Sequence, residues 1–599
     1  MIKELKKNFN NIKRIMKITL SVDKKYPIIT ISNMILNSII SPISLLIMQM
    51  ILNSVQKDIS KFNNIVVFVF AYICIEIFIS VKDNLVEVYL NKFNYKLNLS
   101  LNTIILDKVS ELSIKDYENS KIYDKLQRAE ERGIGVAQVY LDLYLKLIQN
   151  ILTIIFYILI LIKFNVFIII VAMVVPVLEF LANKKYNNID YLTKIERTND
   201  ERKAWYKKYM LTKEEYYKEI KLNNLFTYFK NEYIDYNKKF INKDVYNFNE
   251  YKKKITILDF IGNIVDGTIF LYIIFCGYLK KILIGDIITY IRALTESKSI
   301  AQMILQYMSA IKRANLDVDL LFSFLDMKSN IDNKDKKIIG EIEKIEIKNL
   351  SYKYKLSKNY VLKNINLIFF KDKINIILGK NGSGKTTLLK IILGFYDDYE
   401  GDVLINGINL REINKESYMK EIGCLFQDFS KYEASYYENI VYGNIDEKND
   451  FVSVEDIAEV FGINELISQK KDNIHSQIGY WFDDGTQISA GQWQKIAMAR
   501  TFFKNASLYV MDEPNSALDV ISEKNLDKSY ISLLKDKLSI IVIHRFKYFI
   551  NENVNIILLD NGEIDSIGSH EKLLDESKLY RELYEKLWYL SLVKILKKG

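Results

Sequence analysis

The sequence predicts a multidomain membrane protein: a six-helix all-α transmembrane domain followed by an α/β domain built around a P-loop. Three observations carry that reading. Six long apolar runs lie between residues 27 and 311. Near Ile342 they give way to short β-like runs alternating with helical patterns. A glycine-rich turn, Gly379-Lys-Asn-Gly-Ser-Gly384-Lys385-Thr386-Thr387, then joins an apolar strand to a helical run.

The chain has 599 residues, more than one ordinary domain holds. Hydrophobic residues make up 49% and charged residues 26%, a mixture suited to a protein partly in lipid and partly in water. The net charge of +9 would fit a nucleic-acid binder or a membrane protein with basic cytoplasmic loops, so its distribution decides. The spacing of Cys74, Cys276 and Cys424 fits neither a disulfide framework nor a metal knuckle. The basic N-terminus precedes an apolar run far longer than a signal-peptide core, so no cleavable signal is expected.

Residues 27–54 contain no charge. As a helix they would reach ~42 Å at ~1.5 Å per residue, enough to cross a bilayer with tilt. Pro27 stands at the run's start, where a missing N–H costs little. The second run covers 64–81. The third and fourth, 147–162 and 165–182, are separated by Lys163-Phe164-Asn165. The fifth is 255–278 and the sixth 284–311. Spans two and three, and four and five, are joined by long basic segments; the other three connections are short. The first 25 residues hold eight Lys or Arg. The positive-inside rule puts these basic segments in the cytoplasm, which accounts for the charge without nucleic acid. Residues 326–341 are polar without apolar periodicity, so the expected division is a transmembrane domain at 1–328, a linker at 329–341 and a nucleotide-binding domain at 342–599.

A phosphate must be surrounded by backbone N–H groups, and glycine permits that approach while a helix N-terminus adds positive dipole. Gly379, Asn381, Gly382, Ser383 and Gly384 supply such a turn, Lys385 reaches the β- and γ-phosphates, and the Thr386 hydroxyl suits Mg²⁺. Thr387 continues the motif. Downstream, Leu508-Tyr-Val-Met-Asp512-Glu513 reads as a buried strand ending in two carboxylates. Asp512 is placed to hold Mg²⁺ through water, and Glu513 to orient or deprotonate an attacking water. ATP and Mg²⁺ are thus the expected cofactors, and the C-terminal domain an ATPase.

These residues resemble the ABC transporter ATPases, and the resemblance to fused exporters covers nearly the whole chain. Ile488-Ser489-Ala490-Gly491-Gln492 is similar to the family's signature loop. The resemblance implies that Ser489, Gly491 and Gln492 cap the γ-phosphate of ATP held by the opposite subunit. It implies that Tyr354 stacks on adenine, Gln427 senses Mg²⁺ and contacts the membrane domain, and Asp519, in Ser516-Ala-Leu-Asp519, crosses the dimer seam. His544 corresponds to the switch histidine and Glu513 to the catalytic base. His475 and His570 are expected at the surface. The signature carries Ala490 where the family usually has glycine, and its methyl is expected to crowd the loop and slow the site without killing it.

Trp481-Phe-Asp-Asp-Gly485, Gly491-Gln-Trp-Gln-Lys495 and the segment 116–131 resemble exporters of ribosomally made peptides, including lantibiotic transporters. The expected function is therefore export of a modified peptide across the bacterial plasma membrane by a homodimer, or by pairing with a homologous half-transporter. Membrane lipid is the surrounding partner. No protease domain precedes the spans, so another protein would remove any leader. The alternatives are a lipid or drug exporter, and a membrane-bound ATPase that senses peptide without moving it. Docking helices are expected near 114–121 and 211–222. Charges within the spans (Glu76, Glu179, Asp259, Asp266, Arg292, Glu296 and Lys298) suit a wet path. Arg292 and Glu296, four apart, either pair or meet cargo. Thr295, Ser297, Ser299, Gln302 and Gln306 make span six polar enough to line a cavity.

Overall fold

The computed structural model describes residues 2–57, 62–118, 120–327, 336–355, 357–371, 373–468, 472–515, 529–543 and 553–585. The chain divides into two compact units. One comprises Met1–Glu111 and Asn119–Lys328, the other Leu112–Glu118 and Ser329–Gly599.

The first unit is helical: α1 (Ile2–Val22), α2 (Tyr26–Lys57), α3 (Phe62–Ser110), then, beyond the short α4 (Ile114–Tyr117) of the second unit, α5 (Ser120–Arg128), α6 (Ile134–Ile162), α7 (Val166–Glu196), α8 (Thr198–Thr212), α9 (Glu214–Leu222), α10 (Phe226–Tyr278) and α11 (Ile284–Leu325). Helices α2, α3, α6, α7 and α10 are long and apolar enough to cross a bilayer. The sixth span, α11, has 42 residues, ample length, but Asp286, Arg292, Glu296 and Lys298 dilute its apolar character. With 49 and 53 residues, α3 and α10 run far past the ~30 Å hydrocarbon layer, as their long connections require. Asn165 caps α7, its side chain accepting from Phe167 N–H at 2.8 Å, so the turn after α6 falls at the Lys163–Asn165 break.

Packing centres on α2, α6, α7, α10 and α11, where Tyr157, Ile273, Ala293 and Ile300 are buried together. The intramembrane charges are partly neutralised. Lys298 pairs with Asp266 at 2.8 Å, and Gln302 donates to Glu179 at 3.1 Å. Asp286 accepts from Gln49 and Asn53 at 2.6 and 2.7 Å. Of the two outcomes left open for Arg292 and Glu296, the pair does not form: both side chains are exposed, with no ion pair between them. Helix α1 is an addition to the sequence reading. Its Asn11, Ile15 and Thr19 face inward at four-residue spacing.

In the second unit the first two β-like runs do not start βαβ units. Strands β1 (Lys344–Tyr352) and β2 (Leu362–Phe370) pair antiparallel, and β4 (Glu400–Ile405) and β5 (Ile408–Asn409) complete a separate four-stranded sheet. Alternating burial along β2 shows the cause: only one face is covered, the habit of antiparallel strands. The second sheet has six strands in the order β10-β9-β3-β8-β7-β6. These are β3 (Ile374–Gly379), β6 (Ile422–Leu425), β7 (Leu508–Asp512), β8 (Leu538–Val542), β9 (Val554–Asp560) and β10 (Glu563–Gly568). All but β10 run parallel, and β7 and β8 are buried throughout. The described end of the expected linker is pinned rather than free: Lys337 N–H donates to the Glu412 carbonyl at 2.9 Å, and Asn414 N–H to the Lys337 carbonyl at 2.8 Å.

Candidate nucleotide site

Strand β3 delivers the chain into the glycine-rich turn, and helix α12 (Lys385–Ile392) leaves it. Gly384, immediately before the helix, holds a left-handed φ of +104°, and a Cβ there would meet Leu362 Cδ2 at 2.7 Å. Both facts exclude a side chain. Asn381 and Gly382 are exposed at the tip, while Ser383 and Lys385 are buried at its base. Lys385 Nζ bridges the carbonyls of Gly379 and Lys380 at 2.8 and 3.1 Å. Burial pulls its pKa down, against the pull of Glu513 and Asp512. The Ser383 hydroxyl is buried without a hydrogen-bond partner. An orphaned donor beside a buried cation and an open cradle of N–H groups fits a phosphate chain.

The neighbouring strand brings the acids. Thr386 Oγ1 donates to Asp512 Oδ2 at 3.1 Å, so the helix start and the end of β7 face one another. Gln427 Nε2 donates to Glu513 Oε2 at 3.0 Å. Glu513 has a φ of +51°, and its N–H donates to Val542 on β8 at 2.8 Å. This left-handed bend turns its side chain away from the strand line toward Gln427. Tyr354 lies just past β1, its hydroxyl 3.0 Å from Thr387 Oγ1 and its ring edge-on to Tyr352 and Tyr396.

The signature residues lie elsewhere. Ser489 caps α17, the helix Ala490–Phe503. The label follows α13 (Lys415–Lys420), α14 (Tyr436–Val441), α15 (Phe451–Val460) and α16 (Asn464–Ile467). Its hydroxyl accepts from Gln492 N–H at 3.2 Å, and Gln492 Oε1 accepts from Ser489 N–H at 2.8 Å. This reciprocal box satisfies two N–H groups of a helix N-terminus whose Ser489 and Ala490 are exposed. Among the described residues no hydrogen bond joins Ser489, Gly491 or Gln492 to the P-loop. Asp519 and His544 lie outside the described residues. His475 is exposed as expected, but His570 is only half so: its Nδ1 lies 2.7 Å from the Tyr580 hydroxyl.

A family model described as ABC transporter matches residues 362–516. The subtilin transport ATP-binding protein SpaT of Bacillus subtilis is 34% identical over 599 residues, covering 98% of this chain and 96% of its own.

The chain belongs to the ABC transporter family.

The nisin transport ATP-binding protein NisT of Lactococcus lactis subsp. lactis is 31% identical over 572 residues, covering 95% of each chain. An ATP-dependent lipid A-core flippase of Francisella tularensis is 30% identical over 278 residues, covering 46% of this chain and 44% of its own. A solved bacterial Atm1-family ABC exporter with ATP bound shares the fold, with a TM-score of 0.78 at 17% identity over 93% of this chain and 98% of that one. This ABC transporter is a multi-pass membrane ATPase whose hydrolysis is coupled to transport.

One feature of the transporter's ATPase half escaped the sequence reading, and another answers the docking segment expected near 114–121. The Glu433 carboxylate accepts from the N–H groups of Tyr480 and Trp481 at 2.8 and 2.9 Å, anchoring the aromatic loop before the signature. Residues Leu112–Glu118, which cluster with this unit, carry the other. Lys115 pairs with Asp398 at 2.6 Å, and Glu118 accepts from Lys390 at 2.9 Å and from Tyr396 at 2.8 Å. Burial pushes the Glu118 carboxyl up, but Lys390 and Tyr396 outweigh it and hold it below the usual range. Tyr396 also stacks on Tyr352. Tyr396→Phe is expected to leave nucleotide affinity within about twofold while reducing transport per ATP hydrolysed, since the hydroxyl's bonds to Glu118 and from Lys390, about 1–3 kcal/mol each, are lost away from the phosphate turn. Equal loss of ATP binding and transport would contradict this.

Within the chain, the backbone at Ala490 makes no demand for glycine. Ala490 is the first residue of α17 and is exposed. Alanine favours a helix over glycine by about 1 kcal/mol. Ala490→Gly is therefore expected to change ATP turnover by less than about threefold, and a tenfold rise would show that the methyl obstructs the site.

Proposed function

We propose that this transporter works as a homodimer in the bacterial plasma membrane, exporting a ribosomally made, modified peptide from the cytoplasm. The working parts are a transmembrane domain at 1–328, a linker at 329–341 and an ATPase domain at 342–599. The observation that carries the cargo is end-to-end similarity to subtilin and nisin transport proteins, against less than half the chain for the lipid flippase. Exposure of Arg292, Thr295, Glu296, Ser299 and Gln306 on α11 supports it: a polar stripe at that depth suits a wet cavity, not lipid.

The separation of signature and P-loop within one chain supports head-to-tail pairing. Each site would take Tyr354, Lys385 and the glycine turn from one subunit, and Ser489, Gly491 and Gln492 from the other. Asp519 and His544 are assigned to the seam and the γ-phosphate. Thr386, Asp512 and Gln427 would hold Mg²⁺, being the hard oxygen donors that this ion prefers. Bound there, the ion neutralises charge on the β- and γ-phosphates. Lys385 adds a fixed cation, and Glu513 takes the proton from the attacking water. Gln427 steers that carboxylate through the bond it already makes.

Sealed inverted vesicles containing the protein, ATP and a labelled lantibiotic-type precursor test the reading. Accumulation that requires ATP supports export. ATP hydrolysis stimulated by peptide without accumulation would replace it with peptide sensing, and accumulation of lipid or drug alone with the flippase-type alternative.

A further inference from the structure

A cavity of about 600 Å³ opens in the membrane unit between α1, α7 and α11. Its volume lies within the usual range for ligand sites. Lys7, Lys312 and Asn188 contribute polar groups, and Leu192, Met308 and Leu316 an apolar wall. Asp319, also in the lining, is already satisfied: Lys7 pairs with it at 2.7 Å and Asn11 donates to it at 2.8 Å. Lys312 donates to Asn188 Oδ1 at 2.8 Å and pairs with no carboxylate among the described residues. With only the Asn188 oxygen and, 5.8 Å away, the Tyr191 ring beside it, Lys312 gives the cavity a positive charge with no anionic partner among the described residues, next to an apolar surface.

Depth decides what could meet it. Asn188 lies ~33 Å along α7 from Val166, and Lys312 ~42 Å along α11 from Ile284, at ~1.5 Å per residue. Both helices start from short turns on the same side. Allowing for tilt across a ~30 Å hydrocarbon layer, Lys312 reaches the headgroup zone of the opposite leaflet. Leu192, Met308 and Leu316 remain 57%, 45% and 40% exposed, where an acyl chain would lie.

We infer that this cavity binds the headgroup of a monoanionic phospholipid, with Lys312 on the phosphodiester and Leu192 and Leu316 against the upper acyl chain. Basic pockets between spanning helices suit such headgroups. The assignment to the cytoplasmic leaflet rests on the orientation proposed above; the binding itself does not.

Native mass spectrometry of the full chain released from mixed phosphatidylcholine–phosphatidylglycerol vesicles provides the test. The parent protein is expected to retain phosphatidylglycerol preferentially. Lys312→Ala should lower retention about fivefold, the worth of one lysine at a membrane surface. Lys312→Arg should keep it. Leu316→Trp, which fills the cavity without changing charge, should lower it too. Equal retention of both lipids by the parent, or unchanged phosphatidylglycerol on both Lys312→Ala and Leu316→Trp, overturns the proposal. Displacement of the lipid by a lantibiotic-type precursor peptide would assign the cavity to cargo instead. ATP turnover measured on the same samples keeps a failed lipid site distinct from a failed transporter.

Discussion

Glu513→Gln is expected to lower ATP turnover by about 10²–10⁴-fold, the range for removal of a general base, and to leave nucleotide bound. The substitution keeps size and shape, so the strand end survives. What holds that end is backbone: Glu513 sits at φ +51°, a conformation costly for a non-glycine residue, and its N–H bond to Val542 secures it. The side chain then meets Gln427 Nε2 at 3.0 Å. An amide can still accept there but cannot take a proton from water. Binding and chemistry therefore separate, and ATP should stay trapped in a closed dimer, read as nucleotide retained per chain after gel filtration. A variant hydrolysing ATP at the parent rate would remove Glu513 from the role of base.

That site was legible because its parts are local. The turn from Gly379 to Thr387 needs its glycines wherever the fold puts it, and the acids follow one apolar strand. The spans were legible for the same reason, since bilayer thickness sets a minimum apolar length. What escaped depends on meetings between distant segments. Glu118 lies in the segment expected to dock, but Tyr396, 278 positions away, lies in no motif, so their meeting was not written in either stretch. Helix α1 carries charge and apolar residues mixed, and only its i, i+4 spacing at Asn11, Ile15 and Thr19 hinted at a buried face. The antiparallel pairing of β1 with β2 was not legible, because a strand's partner is not written in its own residues. On span six the spacing left two outcomes open. Arg292 and Glu296 have the spacing for a pair, but lie exposed on one polar stripe where water or a partner competes.

Lys385→Ala is expected to have the other large effect, on binding rather than on chemistry. The ammonium is held by the carbonyls of Gly379 and Lys380, inside a site whose burial lowers its pKa. Two neutral acceptors are poor compensation for a desolvated cation, and a phosphate would compensate it better. Removing the cation should leave the fold intact yet weaken ATP by about 2–5 kcal/mol, the usual loss when one member of a buried charge pair is deleted, or ~30-fold to several thousand-fold. Lys385→Arg should not restore it. The guanidinium is a broad planar fork, and the space under Gly379 takes a point charge on a slender stem. Fluorescent-nucleotide titration reads both variants, with thermal melting to confirm folding. If either bound ATP as the parent does, the phosphate would be held by backbone alone. The glycine turn and orphaned Ser383 hydroxyl would then carry what is here assigned to the lysine.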